Sequence, residues 1–124
     1  MSENSSELCY IGDPCYVFTH VQWREIKESI HPVSGKADYT KAKLGDHPLF
    51  IRPTRHGDGV FSIKELSESV LGVDSGSLSC IPVKLIRDTM PQIALKLGVI
   101  VDVDINKCKC SKGFFTFDKY TVST

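Results

Sequence analysis

Val99, Val101, Val103 and Ile105 alternate with Ile100, Asp102 and Asp104. A two-residue period of this kind is that of a half-buried strand. Residues 8–11 form a short apolar run that reads as a strand, broken by Gly12-Asp13-Pro14. Glycine tolerates positive φ, proline fixes φ and aspartate bonds nearby backbone, so a turn is expected there. Residues 15–18 then read as a second short strand, or as the first one continuing past the kink. A further strand is expected over residues 47–54, with Leu49 and Ile51 on one face. Residues 78–86 make the best central strand, although Pro82 inside it points to an edge or a bulge. Residues 106–113 turn the chain, and residues 114–122 return as a partner strand. Its alternation slips near Asp118-Lys119, which a bulge or tight turn would explain.

Helical spacing is found in three places. Thr19 stands three residues before Gln22, a capping-box pattern, and Phe18 and Trp23 occupy the positions of a hydrophobic staple. Trp23, Ile26 and Ile30 recur on one helical face, and His31-Pro32 ends the helix because the residue before proline disfavours the α region. Ser62 and Glu65 repeat the capping-box pattern, Ile63, Leu66 and Val70 share a face, and Gly72 suits a C-cap. These local signals predict a short helix over residues 63–71. A third helix is expected over residues 89–97, ended by Gly98. Between the first helix and the strand at 47, residues 33–46 carry Ser, Gly, Lys and Asp and read as a long loop, the kind that is often functional.

The elements add up to an α+β protein: a mainly antiparallel β domain, sandwich or partly open barrel, with one to three short helices. Its 124 residues suit one domain, with residues 1–7 as a frayed tail and residues 8–124 as the globular unit. Fifteen basic and fifteen acidic side chains balance. A protein that neutralises many phosphates usually shows a basic excess, so general nucleic-acid binding is not expected. The polar start MSENSSELC lacks the apolar core of a signal peptide, and no stretch approaches a membrane span. A cytoplasmic location without membrane association follows as the expectation. Cys9, Cys15, Cys80, Cys108 and Cys110 are odd in number and read as reduced thiols.

Four stretches carry a resemblance: Tyr10-Ile11-Gly12-Asp13-Pro14-Cys15-Tyr16-Val17; Gly57-Asp58-Gly59-Val60-Phe61; Gly72-Val73-Asp74-Ser75-Gly76 running into Cys80-Ile81-Pro82-Val83; and Gly113-Phe114-Phe115 leading to Tyr120. In order and spacing the set resembles small uncharacterised proteins carried by bacteriophages and bacteria. The resemblance implies a compact, mainly antiparallel β domain in which the DPCY and VDSG turns lie near each other. It also implies strands between GDG and VDSG, where the local signals favour a helix. It implies no reaction.

Candidate chemistry gathers at the turns. Asp13, Asp58 and Asp74, with His56 beside one of them, would supply oxygen ligands for a divalent cation or acid–base groups for hydrolysis if they converged. Aspartates in such turns are otherwise explained by their bonds to turn backbone. Cys15 would be a nucleophile given a nearby histidine, or else a buried core thiol. Cys108-Lys109-Cys110 offers one tight thiol pair, short of the two that a structural zinc site usually shows; otherwise it is a pair of thiols at a loop tip. Arg52, Arg55 and His56 form a cationic group between a strand and a glycine turn. They are suited to phosphate or carboxylate, and are otherwise a solvated strand end. Trp23, Phe50, Phe61, Phe115 and Phe117 would stack bases, although their spacing points first to core packing. Lys36, Lys41 and Lys43 read as solvated.

No cofactor fingerprint, P-loop or paired metal motif is found. The sequence therefore points first to a non-enzymatic binding protein, phage-encoded if the resemblance holds, that blocks a host protein or sequesters a small anionic ligand. Arg52, Arg55, His56, Asp58 and Asp74 are the expected ligand contacts, and no metal or cofactor is required. The alternative is a small hydrolase or nucleotide-modifying enzyme using Asp13, His56, Asp58 and Asp74. A third reading is a structural component of a larger assembly.

Overall fold

The computed structural model describes residues 6–31, 36–86 and 92–124. In chain order the regular elements are β1 (Glu7–Gly12), α1 (His20–Ile30), β2 (Lys43–Leu44), β3 (His47–Pro48), β4 (Phe50–Pro53), β5 (Gly59–Ile63), β6 (Leu66–Val73), β7 (Ser77–Pro82), α2 (Gln92–Lys96), β8 (Gly98–Val103), β9 (Cys108–Ser111), β10 (Phe114–Phe117) and β11 (Tyr120–Ser123). Every strand pairing is antiparallel. Among the described residues the strands form four sheets, none of them closed: β4-β7-β1-β8, β11-β10-β9, β2-β3 and β5-β6. The fold is thus α+β and mainly antiparallel.

The four-stranded sheet is the middle layer, and alternation along its strands explains why. In β1, Cys9 and Ile11 join one core cluster while Tyr10 joins the other. In β4, Phe50 and Ile51 divide in the same way, as do Cys80 and Ile81 in β7. The first face packs against the β5-β6 and β11-β10-β9 sheets through Ile63, Leu71, Phe115, Phe117 and Val122. The second packs against α1 through Ile26 and Ile30. A strand covered on both faces loses its polar alternation, and all six residues of β7 are buried.

Helix α1 forms as its ends dictate. The Thr19 hydroxyl accepts from Gln22 N (3.1 Å) and the Gln22 side chain accepts from Thr19 N (2.9 Å), completing the capping box. The helix ends at Ile30, with the His31 N–H still bonded to Lys27 O.

Several expectations are corrected. Residues 63–71 are not a helix: β5 and β6 form a hairpin turned at Lys64-Glu65. Glu65, placed to cap a helix, instead accepts from the Thr121 N–H (2.6 Å) and hydroxyl (2.8 Å), while Lys64 N donates to Thr121 O (2.9 Å). Docking onto β11 thus wins over the local helical pattern, and the bulge between Phe61 and Ile63 adjusts the hairpin's faces. This agrees with the strands that the resemblance implied there. Residues 15–18 are not a strand. Asp13 caps a 3-10 turn, Pro14–Tyr16, by accepting from Cys15 N.

The strand over 47–54 is divided at Leu49, whose N–H leaves the ladder to bond Ala42 O. The strand over 78–86 stops at Pro82 and continues as a 3-10 turn, Val83–Leu85. The Val99–Val103 strand pairs with β1 and not with residues 114–122, whose partner is β9. The slip at Asp118-Lys119 is the β10–β11 turn, with Asp118 at φ 59°. Strand β1 begins at Glu7, inside the stretch read as tail. The loop over 33–46 holds a 3-10 turn, Tyr39–Lys41, and strand β2; its first residues, like the expected helix start at 89–91 and residues 1–5, lie outside the described ones.

Candidate ligand-binding site

Asp13 brings two of the aspartate turns together. Its side chain is fully buried. One carboxylate oxygen accepts the N–H groups of Asp74 and Ser75, both at 2.6 Å. The other accepts Cys15 N (2.8 Å) and the Ser75 hydroxyl (2.7 Å). The Tyr16 hydroxyl donates to the Asp74 carboxylate. The DPCY and VDSG turns are therefore laced to each other. The third turn lies beside them: Thr54 N donates to Gly76 O (3.0 Å), and a Cβ on Gly76 would stand 3.9 Å from an Asp58 carboxylate oxygen.

Asp13 bonds both the Cys15 and Asp74 backbones, and Asp58 stands on the turn beside Gly76. Burial, a hydrogen bond to Asp13 and the negative charge of all three carboxylates push the Cys15 thiol well above its ordinary range. A nucleophilic cysteine needs an electropositive setting that stabilises thiolate, and this one is the reverse. Tyr16 is likewise pushed up by burial and by its bond to Asp74. Among the described residues no group of three His, Cys, Asp or Glu side chains is placed to hold a metal ion.

The remaining thiols belong to the core. Cys108 and Cys110 sit on β9 opposite Phe117 and Phe115. Residues two apart on a strand share a face, and both thiols pack into the cluster that holds Cys9 and Cys80. They are not at a loop tip. All five cysteines are free.

The cationic group is assembled in part and extended. Arg52 and Arg55 line a cleft of about 510 Å3 together with Pro53, Thr54, Cys110, Lys112 and Gly113. His56 and Asp58 are exposed on the neighbouring turn and Asp74 stands on the Asp13 side; none of the three lines this cleft. Arg52 is held from behind. One of its guanidinium nitrogens donates to Ile51 O (2.9 Å) and Tyr39 O (3.3 Å), and its guanidinium carbon lies 4.6 Å from the centre of the Phe50 ring. Arg55 is fixed at its backbone, where its N–H donates to the Thr124 hydroxyl (3.0 Å). Gly113 makes room for it, since a Cβ there would meet Arg55 Cβ at 2.4 Å.

Lys112 is the residue that sequence reasoning missed. Lys112 and Gly113 form the two-residue β9–β10 turn with φ 51° and 81°, a geometry of hairpin turns that needs positive φ twice. The Lys-Gly pair before Phe114-Phe115 was the available signal. Among the described residues the one ion pair joins Lys84 to Glu7, so no carboxylate is in salt-bridge contact with the three cations of the cleft; Asp38 acts on Arg52 only from a distance. Burial raises the Cys110 thiol, with the Gly113 N–H and Arg52 pulling the other way.

Of the aromatic residues, Phe50, Phe115 and Phe117 pack together in the core, with Phe115 and Phe117 stacked at 5.5 Å. Phe61 packs at its edge. Trp23 alone of that group stands on the other side of the sheet, lining a smaller cleft beside the VDSG turn. The chain matches no protein-family model, no curated protein and no solved structure.

Proposed function

We propose that this protein is a non-catalytic binding protein that holds a small anionic ligand, bearing phosphate or carboxylate, in the cleft between β4 and the β9–β10 turn. The observation that carries the reading is the convergence of Arg52, Arg55 and Lys112 on one concave surface, with no carboxylate paired to any of them among the described residues. Like charges gathered without counter-charges repel one another, and a bound anion relieves that repulsion. Arg52 would act as a fixed guanidinium, since one terminal nitrogen gives its protons to the two carbonyls behind it and leaves Nε and the other terminal nitrogen for the ligand. Planar forks of this kind match carboxylate and phosphate oxygens in pairs. Arg55 and Lys112 would close on the ligand from the rim. In the setting that the resemblance to phage proteins suggests, the task would be to sequester a host metabolite.

The hydrolase alternative has less support. Its central carboxylate, Asp13, already accepts four hydrogen bonds and is closed off from solvent. Asp74 is engaged by Tyr16. Neither leaves the free, cleft-facing carboxylate that an acid–base role needs.

The test is an NMR titration of 15N-labelled protein with inorganic phosphate and with citrate. Saturable shifts confined to residues 52–55 and 110–113, lost in the variant Arg55→Ala/Lys112→Ala, are expected. Shifts that are absent, or that persist unchanged in the double variant, would sink the reading.

A further inference from the structure

The second cleft, on the opposite face of the central sheet, has a different lining. Trp23, Lys27 and Ile30 come from one side of α1, His31 from the residue that caps its end, Tyr39 from the following 3-10 turn, and Ser75 and Ser77 from the VDSG turn and the start of β7. Its volume is about 210 Å3. Drug-sized pockets run from roughly 300 Å3 upward, so one ring system fits here and a whole nucleotide does not. The walls suit a flat ring. Trp23 is half-buried, and His31 meets Tyr39 edge-on at 6.4 Å and 70°.

The polar end has a fixed sense. The Ser75 hydroxyl has one proton, and that proton is given to the Asp13 carboxylate at 2.7 Å. Ser77 Oγ lies 2.7 Å from Ser75 Oγ, so Ser77 must be the donor of that bond. The Ser77 oxygen is then left with acceptor capacity only. Ser77 is buried at the floor of the cleft, so a ligand group that reaches it must donate, through N–H or O–H. Lys27 and His31 are exposed at the mouth and have no carboxylate partner among the described residues. Lys27 Nζ stands 6.0 Å from the centre of the Trp23 ring.

We propose that this cleft is a second binding site, for a nucleoside monophosphate. Its base inserts between Trp23 and the His31–Tyr39 pair and gives an amino proton to Ser77, and its phosphate stays at the mouth beside Lys27 and His31. The ligand is a free mononucleotide, because the cleft lining supplies one lysine and one histidine, short of the basic track that a polynucleotide follows. This inference does not rest on the Arg52 cleft.

Trp23 is the sole tryptophan of the chain, so its fluorescence reports on this site. AMP is expected to quench it saturably at or below about 1 mM, and inorganic phosphate is expected to leave it unchanged. Lys27→Ala, an exposed change, should weaken AMP about threefold, the scale of one exposed charge. Ser77→Ala should erase the preference for AMP over purine riboside monophosphate, which lacks the amino group. Calorimetry on Trp23→Phe and Trp23→Ala should show affinity largely kept in the first and lost about tenfold in the second, as stacking demands. Arg55→Ala/Lys112→Ala should bind AMP like the parent, which separates this site from the anion cleft. No saturable quench by AMP, an equal quench by phosphate, or an oligonucleotide bound more than about tenfold tighter than AMP would overturn the proposal.

Discussion

Asp13 shows how one residue can look catalytic and act as a fastener. A carboxylate in a Gly-Asp-Pro turn invites an acid–base role, and the residue is indeed bonded to the backbone of a second aspartate, Asp74. Yet its two oxygens take three backbone N–H groups and one hydroxyl, all from the turns that it joins. Hydrogen bonds to a charged group contribute about 1.5–3 kcal/mol each, and leaving several buried donors unmet is costly. Asp13→Asn would turn an amide NH2 toward those donors. We expect it to lower the unfolding free energy by about 3 kcal/mol, read by denaturant titration, and Asp13→Ala by at least as much. A variant as stable as the parent would show that the donors are satisfied otherwise. The turn bonding of Asp13 was legible from Asp beside Pro. Its partners were not legible from local pattern, because Asp74 and Ser75 reach it only after β1 and β7 pair; the resemblance alone placed the DPCY and VDSG turns near each other. The same holds for Lys112, whose charge joins Arg52 and Arg55 only through the β9–β10 turn.

At the scale of elements, local signals succeeded where an element's own side chains settle its form. Helix α1 has its cap, its apolar face and its stop within the segment 19–32, and it forms as read. The β5–β6 hairpin has equally good helical signals and does not, because Glu65 and Lys64 find partners on β11. The hairpin should therefore depend on Glu65. The bonds from Thr121 hold the Glu65 carboxyl below its ordinary range, so its contribution is present above about pH 4.3, the ordinary glutamate value, and is lost as pH falls through the lowered one. Glu65→Gln should melt earlier than the parent at pH 7, and the gap between the two should narrow as the pH is brought below 4. A gap independent of pH would assign the effect to shape alone.

Strands β1 and β8 give a second case. Gly12 and Gly98 face each other in the ladder, and a Cβ on either would run into the Tyr10 side chain, its hydroxyl at 2.5 Å for Gly12 and its ring at 2.4 Å for Gly98. The Tyr10 hydroxyl crosses both to donate to Asp13 O at 3.0 Å. Gly98→Ala should cost about 2–3 kcal/mol, as overpacking does, and roughly half of that in a Tyr10→Leu background where the ring is gone. Equal costs in the two backgrounds would refute the contact.

Across the whole molecule the charges sum to zero while their distribution does not, and this is where stability and binding part company. A side chain kept for the fold loses stability when it is truncated; a surface cation with no partner changes it by less than about 0.5 kcal/mol. Arg52 is mixed, since it bonds two carbonyls and covers Phe50, so Arg52→Ala should destabilise by about 1–2 kcal/mol. The side chains of Arg55 and Lys112 have no carboxylate partner among the described residues and crowd one another's field. Arg55→Ala and Lys112→Ala should leave the melting temperature unchanged or raise it slightly in ligand-free buffer. In phosphate the order should reverse. Phosphate that binds only the folded state stabilises it by an amount that grows as the logarithm of its concentration, so the parent should climb with added phosphate and the double variant should not. Thermal melts of the parent and the double variant across a phosphate series, at ionic strength held constant with chloride, separate this from general screening. Parallel curves would mean that the three cations form a solvated strand end; diverging curves would mean that they are held together for an anion.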